Sequence, residues 1–153
     1  MSATDTTGTL RLERTFDAPA DAVFDAWTNP EVLRRWWKVD PEGTTPIADV
    51  DLREGGSYRL AMQNPGSEGL HTVRGRYLQV SRPELLEYTW AWEQQDGSIG
   101  EESTVVVRFQ PDGDRTNVVL EHSGLPTPGS REKHGSGWSR CLDSLGHMYT
   151  QAG

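Results

Sequence analysis

From Pro46 to His122 the sequence runs in steps of two, cut into short lengths by glycine and proline, and beyond Gly129 it changes to the step of a helix. Ile47 to Leu52 stops at Gly55-Gly56. Tyr58, Leu60 and Met62 then alternate with Ser57, Arg59 and Ala61 until Asn64-Pro65-Gly66. Further alternating runs cover Leu70 to Val80, Leu85 to Trp92, Thr104 to Phe109 and Thr116 to His122, with breaks at Arg82-Pro83, Gln95-Asp96-Gly97 and Pro111-Asp112-Gly113. Alternation with such breaks predicts half-buried strands. Links this short predict antiparallel neighbours, because a parallel crossover needs about a dozen residues or more. In the Leu70 to Val80 run, Val73 and Tyr77 oppose Leu70, Leu78 and Val80, so either face can look inward.

The flanks complete an α+β order of strand, two short helices, six strands and a long helix. Leu10, Leu12 and Phe16 share one side of a first strand, interrupted by Arg14. Pro19 suits the opening turn of a helix whose Ala20, Val23, Phe24 and Trp27 fall at i, i+3, i+4 and i+7. Asn29-Pro30 reads as the cap and first position of a second helix, with Val32, Leu33, Trp36 and Trp37 on its apolar side. In the last segment Trp138, Cys141, Leu142, Leu145, Met148 and Tyr149 lie within about 120° of arc at 100° per residue, with Arg140, Asp143 and His147 opposite. Gly135, Gly137 and Gly146 weaken that helix by about 1 kcal/mol each relative to Ala, so it depends on the sheet.

Composition narrows the function classes. The 153 residues fit one domain, expected over 9–150 behind a disordered tail at 1–8. A formal net charge of −8, with basic residues scattered, argues against nucleic acid and anionic membranes. The sequence has no apolar run near the roughly twenty residues of a membrane helix and no basic-then-apolar leader, so the cytoplasm is the expected location. Cys141 is the single cysteine, which rules out an internal disulfide. Monomer and homodimer both remain open.

Particular residues within that order carry a family resemblance. They are Ala18-Pro19 with Val23-Phe24-Asp25-Ala26-Trp27-Thr28, Trp36-Trp37, Asp51 to Tyr58 (Asp-Leu-Arg-Glu-Gly-Gly-Ser-Tyr), Gly75, Pro83 to Trp90, Thr116 to His122, and Gly137-Trp138. Their order and spacing, from about Leu10 to Tyr149, resemble the START-like (Bet v 1-like) helix-grip superfamily, and within it the SRPBCC domains related to the Hsp90 ATPase activator. The resemblance implies a curved antiparallel sheet wrapped around the C-terminal helix, with an internal cavity that takes hydrophobic or amphipathic small molecules. It also implies that the two short helices plug one end of that cavity. Eukaryotic Hsp90 activators carry a further N-terminal domain and signature that these residues do not match, which ranks a chaperone-related, stress-response role below ligand binding.

If helix and sheet face each other, Trp90 and Trp92 converge with Trp138 and Leu142, and Tyr58 and Met62 join from the neighbouring hairpin. With Trp27 and Trp36 on the plugging helices, these are the expected ligand-binding residues, flat rings and a polarizable thioether suited to an apolar or aromatic ligand. The competing reading is that they simply fill the core. For catalysis the one weak candidate is His71, a lone strand histidine able to act as acid, base or donor. A second function, enzymatic in the manner of polyketide cyclases and aromatases, would need it. No metal or cofactor is expected: the four histidines show no ligand spacing, and Gly55-Gly56 precedes a strand rather than a phosphate-binding helix. Cys141, on the buried stripe, is expected to be inert. If Arg14 faces inward, its charge needs a carboxylate or an anionic ligand group.

Overall fold

The computed structural model describes residues 9–40, 42–66, 69–94, 96–125 and 127–151; the tail expected at 1–8 lies outside them. The element order is β1 (Thr9–Phe16), α1 (Ala20–Thr28), α2 (Pro30–Trp36), β2 (Thr44–Val50), β3 (Ser57–Gln63), β4 (His71–Ser81), β5 (Leu85–Trp92), β6 (Ser103–Asp112), β7 (Arg115–Ser123) and α3 (Pro128–Gln151). All seven strands form one antiparallel sheet in the order β1-β7-β6-β5-β4-β3-β2. The curved sheet grips the long α3, which is the helix-grip arrangement expected from the sequence.

Several boundaries differ from the sequence reading, among them those at Pro19 and Pro46. Pro19 caps α1 instead of lying in its first turn, and its carbonyl accepts from the N–H groups of Ala22 and Val23. Strand β2 begins at Thr44 and carries Pro46 within it, because β2 is a sheet edge where a missing N–H is tolerated. The register slips between Thr44 and Ile47 at that point. Asn29 caps α2 as expected, its side chain accepting from the Glu31 N–H at 3.0 Å.

The ambiguous strand is resolved in favour of Val73 and Tyr77, which are buried while Leu70 and Leu78 are exposed. Alternation then carries His71 to the inner side as well. At Gly75 the sheet closes tightly on itself: a Cβ there would lie 2.0 Å from the Thr89 carbonyl oxygen. That approach fixes β4 against β5. Arg14 also faces α3, where its guanidinium pairs with Asp143 and donates to Ser139 Oγ at 2.9 Å. Its charge is therefore met by the protein itself.

Candidate functional site

A cavity of about 550 Å³ opens where the N-terminal half of α3 crosses the ends of β3, β4 and β5. The sheet contributes Met62, Asn64, His71, Trp90 and Trp92. Trp37 and Val39, beyond α2, close one side, and α3 supplies Lys133, His134, Ser136, Gly137, Trp138, Arg140 and Cys141. The size lies within the usual range for small-molecule sites, about 300–1,000 Å³.

The expected ligand residues divide between two places. Met62, Trp90, Trp92 and Trp138 line this cavity, and so does His71. Trp27 and Tyr58 instead border a residual void of about 20 Å³ deeper in the grip, room for about one water. Trp36 is fully buried, and its indole N–H is given to the Ala26 carbonyl at 2.8 Å. Leu142 is likewise buried in the core under α3. The cavity therefore occupies one open end of the grip and does not extend along the whole interior.

Aromatic rings form the floor. Trp90 meets Trp92 edge to face at 5.5 Å and Trp138 at 5.0 Å between centroids. Two histidines hold the indoles in place, and their tautomers follow from their partners. On α3, the Nδ1 of His134 lies 2.8 Å from the Ser130 carbonyl oxygen, which can only accept, so Nδ1 carries the proton. The Nε2 of His134 then accepts from the Trp92 indole at 3.0 Å. The second histidine, His122 on β7, accepts from the Trp138 indole through Nδ1 at 3.1 Å. Its Nε2–H donates to Ser103 Oγ at 2.7 Å, and that hydroxyl donates to the Trp90 carbonyl. Burial, with a smaller contribution from nearby His134, lowers the pKa of His122 to about 3, so it is neutral across the physiological range. Burial likewise pushes the Cys141 thiol up to about 12, in keeping with an inert packing role.

Two buried polar atoms have no hydrogen-bond partner among the described residues, Trp90 Nε1 and Asn64 Oδ1. Both belong to residues that line the cavity. Buried polar groups are nearly always paired, so these two atoms are exceptions among the described residues.

Sequence reasoning missed His122, His134, Trp37 and Asn64. A signal was available for the histidines. His134 stands four residues before Trp138 on the same helical face, and His122 shares its alternation with buried Val118 and Leu120. Arg140, expected to face water away from the apolar stripe, is indeed exposed, but it also edges the cavity. Among the described residues no group of three His, Cys, Asp or Glu side chains converges as metal ligands. No helix of the described residues is long and apolar enough to cross a membrane.

Comparison with known proteins agrees with this architecture. A family model described as Activator of Hsp90 ATPase homolog 1-like protein matches residues 17–149. A crystal structure of a protein of the same designation from Silicibacter pomeroyi is 28% identical, covers 95% of this chain and 99% of its own, and superposes with a TM-score of 0.84. A Micromonospora echinospora protein is also 28% identical, covering 91% of this chain and 74% of its own at a TM-score of 0.66. A Chromobacterium violaceum protein, 23% identical, covers 93% and 97% at a TM-score of 0.82 and supports the fold alone. No curated protein matches the sequence.

Proposed function

We propose, from the premise that this chain belongs to the family of Activator of Hsp90 ATPase homolog 1-like proteins, that it binds a small hydrophobic or aromatic molecule in the open end of its helix grip. The observation that carries this reading is the cavity of about 550 Å³ walled by Trp37, Trp90, Trp92, Trp138 and Met62. Flat rings and a thioether give a planar ligand large contact area at little entropic cost, because most of them are already held by hydrogen bonds or by each other. At about 0.4 kcal/mol per non-hydrogen atom, a three-ring compound of about 17 atoms gains about 7 kcal/mol, a Kd near 10 µM. The expected site residues Met62, Trp90, Trp92 and Trp138 form the contact surface. Trp27, Trp36, Tyr58 and Leu142 support it from the core.

The test is a fluorescence titration with N-phenyl-1-naphthylamine, a neutral three-ring compound that brightens on transfer from water to an apolar site. Gly137 lines the cavity, and a Cβ on it meets only Val39 Cγ1 at an ordinary 3.8 Å. Gly137→Leu therefore projects a side chain into the cavity without disturbing the backbone. Wild-type protein is expected to bind the compound and folded Gly137→Leu to lose binding by tenfold or more. Equal affinity in the two proteins would remove the cavity from the proposal. Native mass spectrometry of freshly purified protein adds a second readout: a discrete mass excess, lost on denaturation, is expected if a tight ligand co-purifies.

A further inference from the structure

The charge of the cavity is opposite to that of the molecule. The chain carries 23 Asp and Glu against 15 Lys and Arg, yet none of the described residues lining the cavity is acidic. Its charged lining residues are Lys133 and Arg140, and Lys133 is one of just two lysines in the sequence. Elsewhere the exposed arginines are mostly committed: Arg14 to Asp143, Arg59 and Arg74 to Glu93, Arg82 to Asp21, Arg108 to Glu121 and Arg115 to Asp17. Lys133 and Arg140 make no ion pair or hydrogen bond with any described residue. They stand two turns apart on α3, at i and i+7, so both edge the same opening. Asp143, the carboxylate one turn beyond Arg140, is taken by Arg14.

Deeper in the wall the unmet group of Trp90 is a donor. The accepting nitrogens of His134 and His122 are already used, since each receives an indole N–H; a third histidine, His71, lines the cavity. Among the described residues the unmatched buried atoms are thus one donor, Trp90 Nε1, and one acceptor, Asn64 Oδ1, while the full charges of the lining, Lys133 and Arg140, are both cationic.

We infer that the ligand is an amphipathic anion: a flat or apolar body held among Trp92, Trp138 and Met62, with one carboxylate- or sulfonate-like group at the rim, set between Lys133 and Arg140. This rests on the binding reading above and adds the ligand's charge to it. Rim cations on an otherwise acidic protein also give direction, because they favour approach of an anion at this opening against the repulsion it meets elsewhere.

The experiment uses two compounds that differ chiefly by the charge, 8-anilinonaphthalene-1-sulfonate and neutral N-phenyl-1-naphthylamine. The quantity read is the ratio of their Kd values at low salt, in wild type and in Lys133→Gln/Arg140→Gln. Each partly exposed cation is worth about two- to fivefold in affinity, so the double variant is expected to shift the ratio against the sulfonate by about tenfold. Added salt is expected to shift the wild-type ratio in the same direction. Arg11→Gln/Arg115→Gln, which removes the same charge from exposed residues that do not line the cavity, is expected to leave the ratio unmoved. A ratio unchanged by the rim variant, or changed as much by the remote one, overturns the anion assignment. If the wild type binds the neutral compound and not the sulfonate, the anion assignment fails and the binding reading survives. Failure of both compounds to bind overturns the binding reading with it.

Discussion

Deep in the grip Trp27, Tyr58, Tyr77 and Tyr88 close on one another, against Trp37 and Trp90, until a void of about 20 Å³ is left; at the open end the same Trp37 and Trp90 stand with Trp92 and Trp138 around about 550 Å³. The residue types are much the same, so aromatic content does not decide which region is filled. One cause lies on α3. Over the packed end it presents Leu142 and Leu145, both fully buried, whereas over the open end it runs Ser136, Gly137. The polar tips differ as well. In the packed end the Trp27 indole donates to Tyr88 Oη at 3.2 Å, and the Tyr58 hydroxyl donates to the Thr89 carbonyl. Burial raises the pKa of Tyr58 and Tyr88 well above the ordinary phenol value, so these contacts are made by neutral hydroxyls. In the open end two indoles are held by histidines, and Trp90 has no partner among the described residues.

The contrast is tested most severely by truncating one indole from each end. Trp27→Ala is expected to cost about 3–5 kcal/mol, because it empties a site packed against Trp36, Phe109 and Trp138 and strands the Tyr88 hydroxyl. Trp92→Ala, on a half-buried cavity wall, is expected to cost about 1 kcal/mol. Urea unfolding of both variants gives the two numbers. Equal losses would mean that the open end is as tightly organised as the packed one.

The next effect is one of pH. The folded pKa of His122 is about 3, against about 6.5 in the unfolded chain, so between these values the unfolded state binds more protons. The stability due to neutral, buried His122 is therefore complete above about pH 6.5 and is lost as the pH falls toward 3. From pH 6.5 to 4.5 the loss is expected to be about 2 kcal/mol. His122→Gln removes this contribution while keeping an acceptor for the Trp138 indole. Its stability is expected to fall less over the same interval, and parallel curves for the two proteins would contradict the assignment of a depressed histidine.

A smaller difference separates two neighbouring indoles. Trp138→Phe leaves the buried Nδ1 of His122 without its donor, whereas Trp90→Phe removes an N–H that has no partner. Both replacements delete the same atoms, so the excess cost of Trp138→Phe over Trp90→Phe, about 1–2 kcal/mol by thermal or urea unfolding, reads the hydrogen bond itself. An excess near zero would place the indole–histidine contacts among the dispensable ones.

Much of the fold was legible because it is written in periodicity. The alternating runs, the Asn29-Pro30 cap and the apolar stripe of α3 each carry their own local signal, and each matches an element of the structure. The boundary at Pro46 was misread because an edge strand tolerates proline, and being an edge is a property of the sheet, not of the segment. The site was legible only in part. Met62, Trp90, Trp92 and Trp138 follow from alternation and helical phase, which say which side of an element a residue faces. They do not say how far along the grip the interior is filled, so Trp36 and Leu142, on the correct faces, lie in the core. His122 and His134 escaped because their role is a pairing between distant elements, invisible to spacing along one of them.

Gly137 connects the two kinds of information. Read locally it is a defect, a glycine in the middle of a 24-residue helix. Read in the fold, it is one of the small residues that keep the cavity open. The two readings predict opposite signs for Gly137→Leu in two measurements. Leucine favours helix by about 0.8 kcal/mol relative to glycine and buries apolar surface against Val39, so folded stability is expected to rise by up to about 1 kcal/mol. Ligand binding is expected to fall over the same substitution. A gain in midpoint temperature together with a loss of N-phenyl-1-naphthylamine binding means that helix stability has been given up at this position to keep the space. A loss of both would show instead that the cavity wall cannot accept a side chain, and that the open end of the grip is held as rigidly as its packed counterpart.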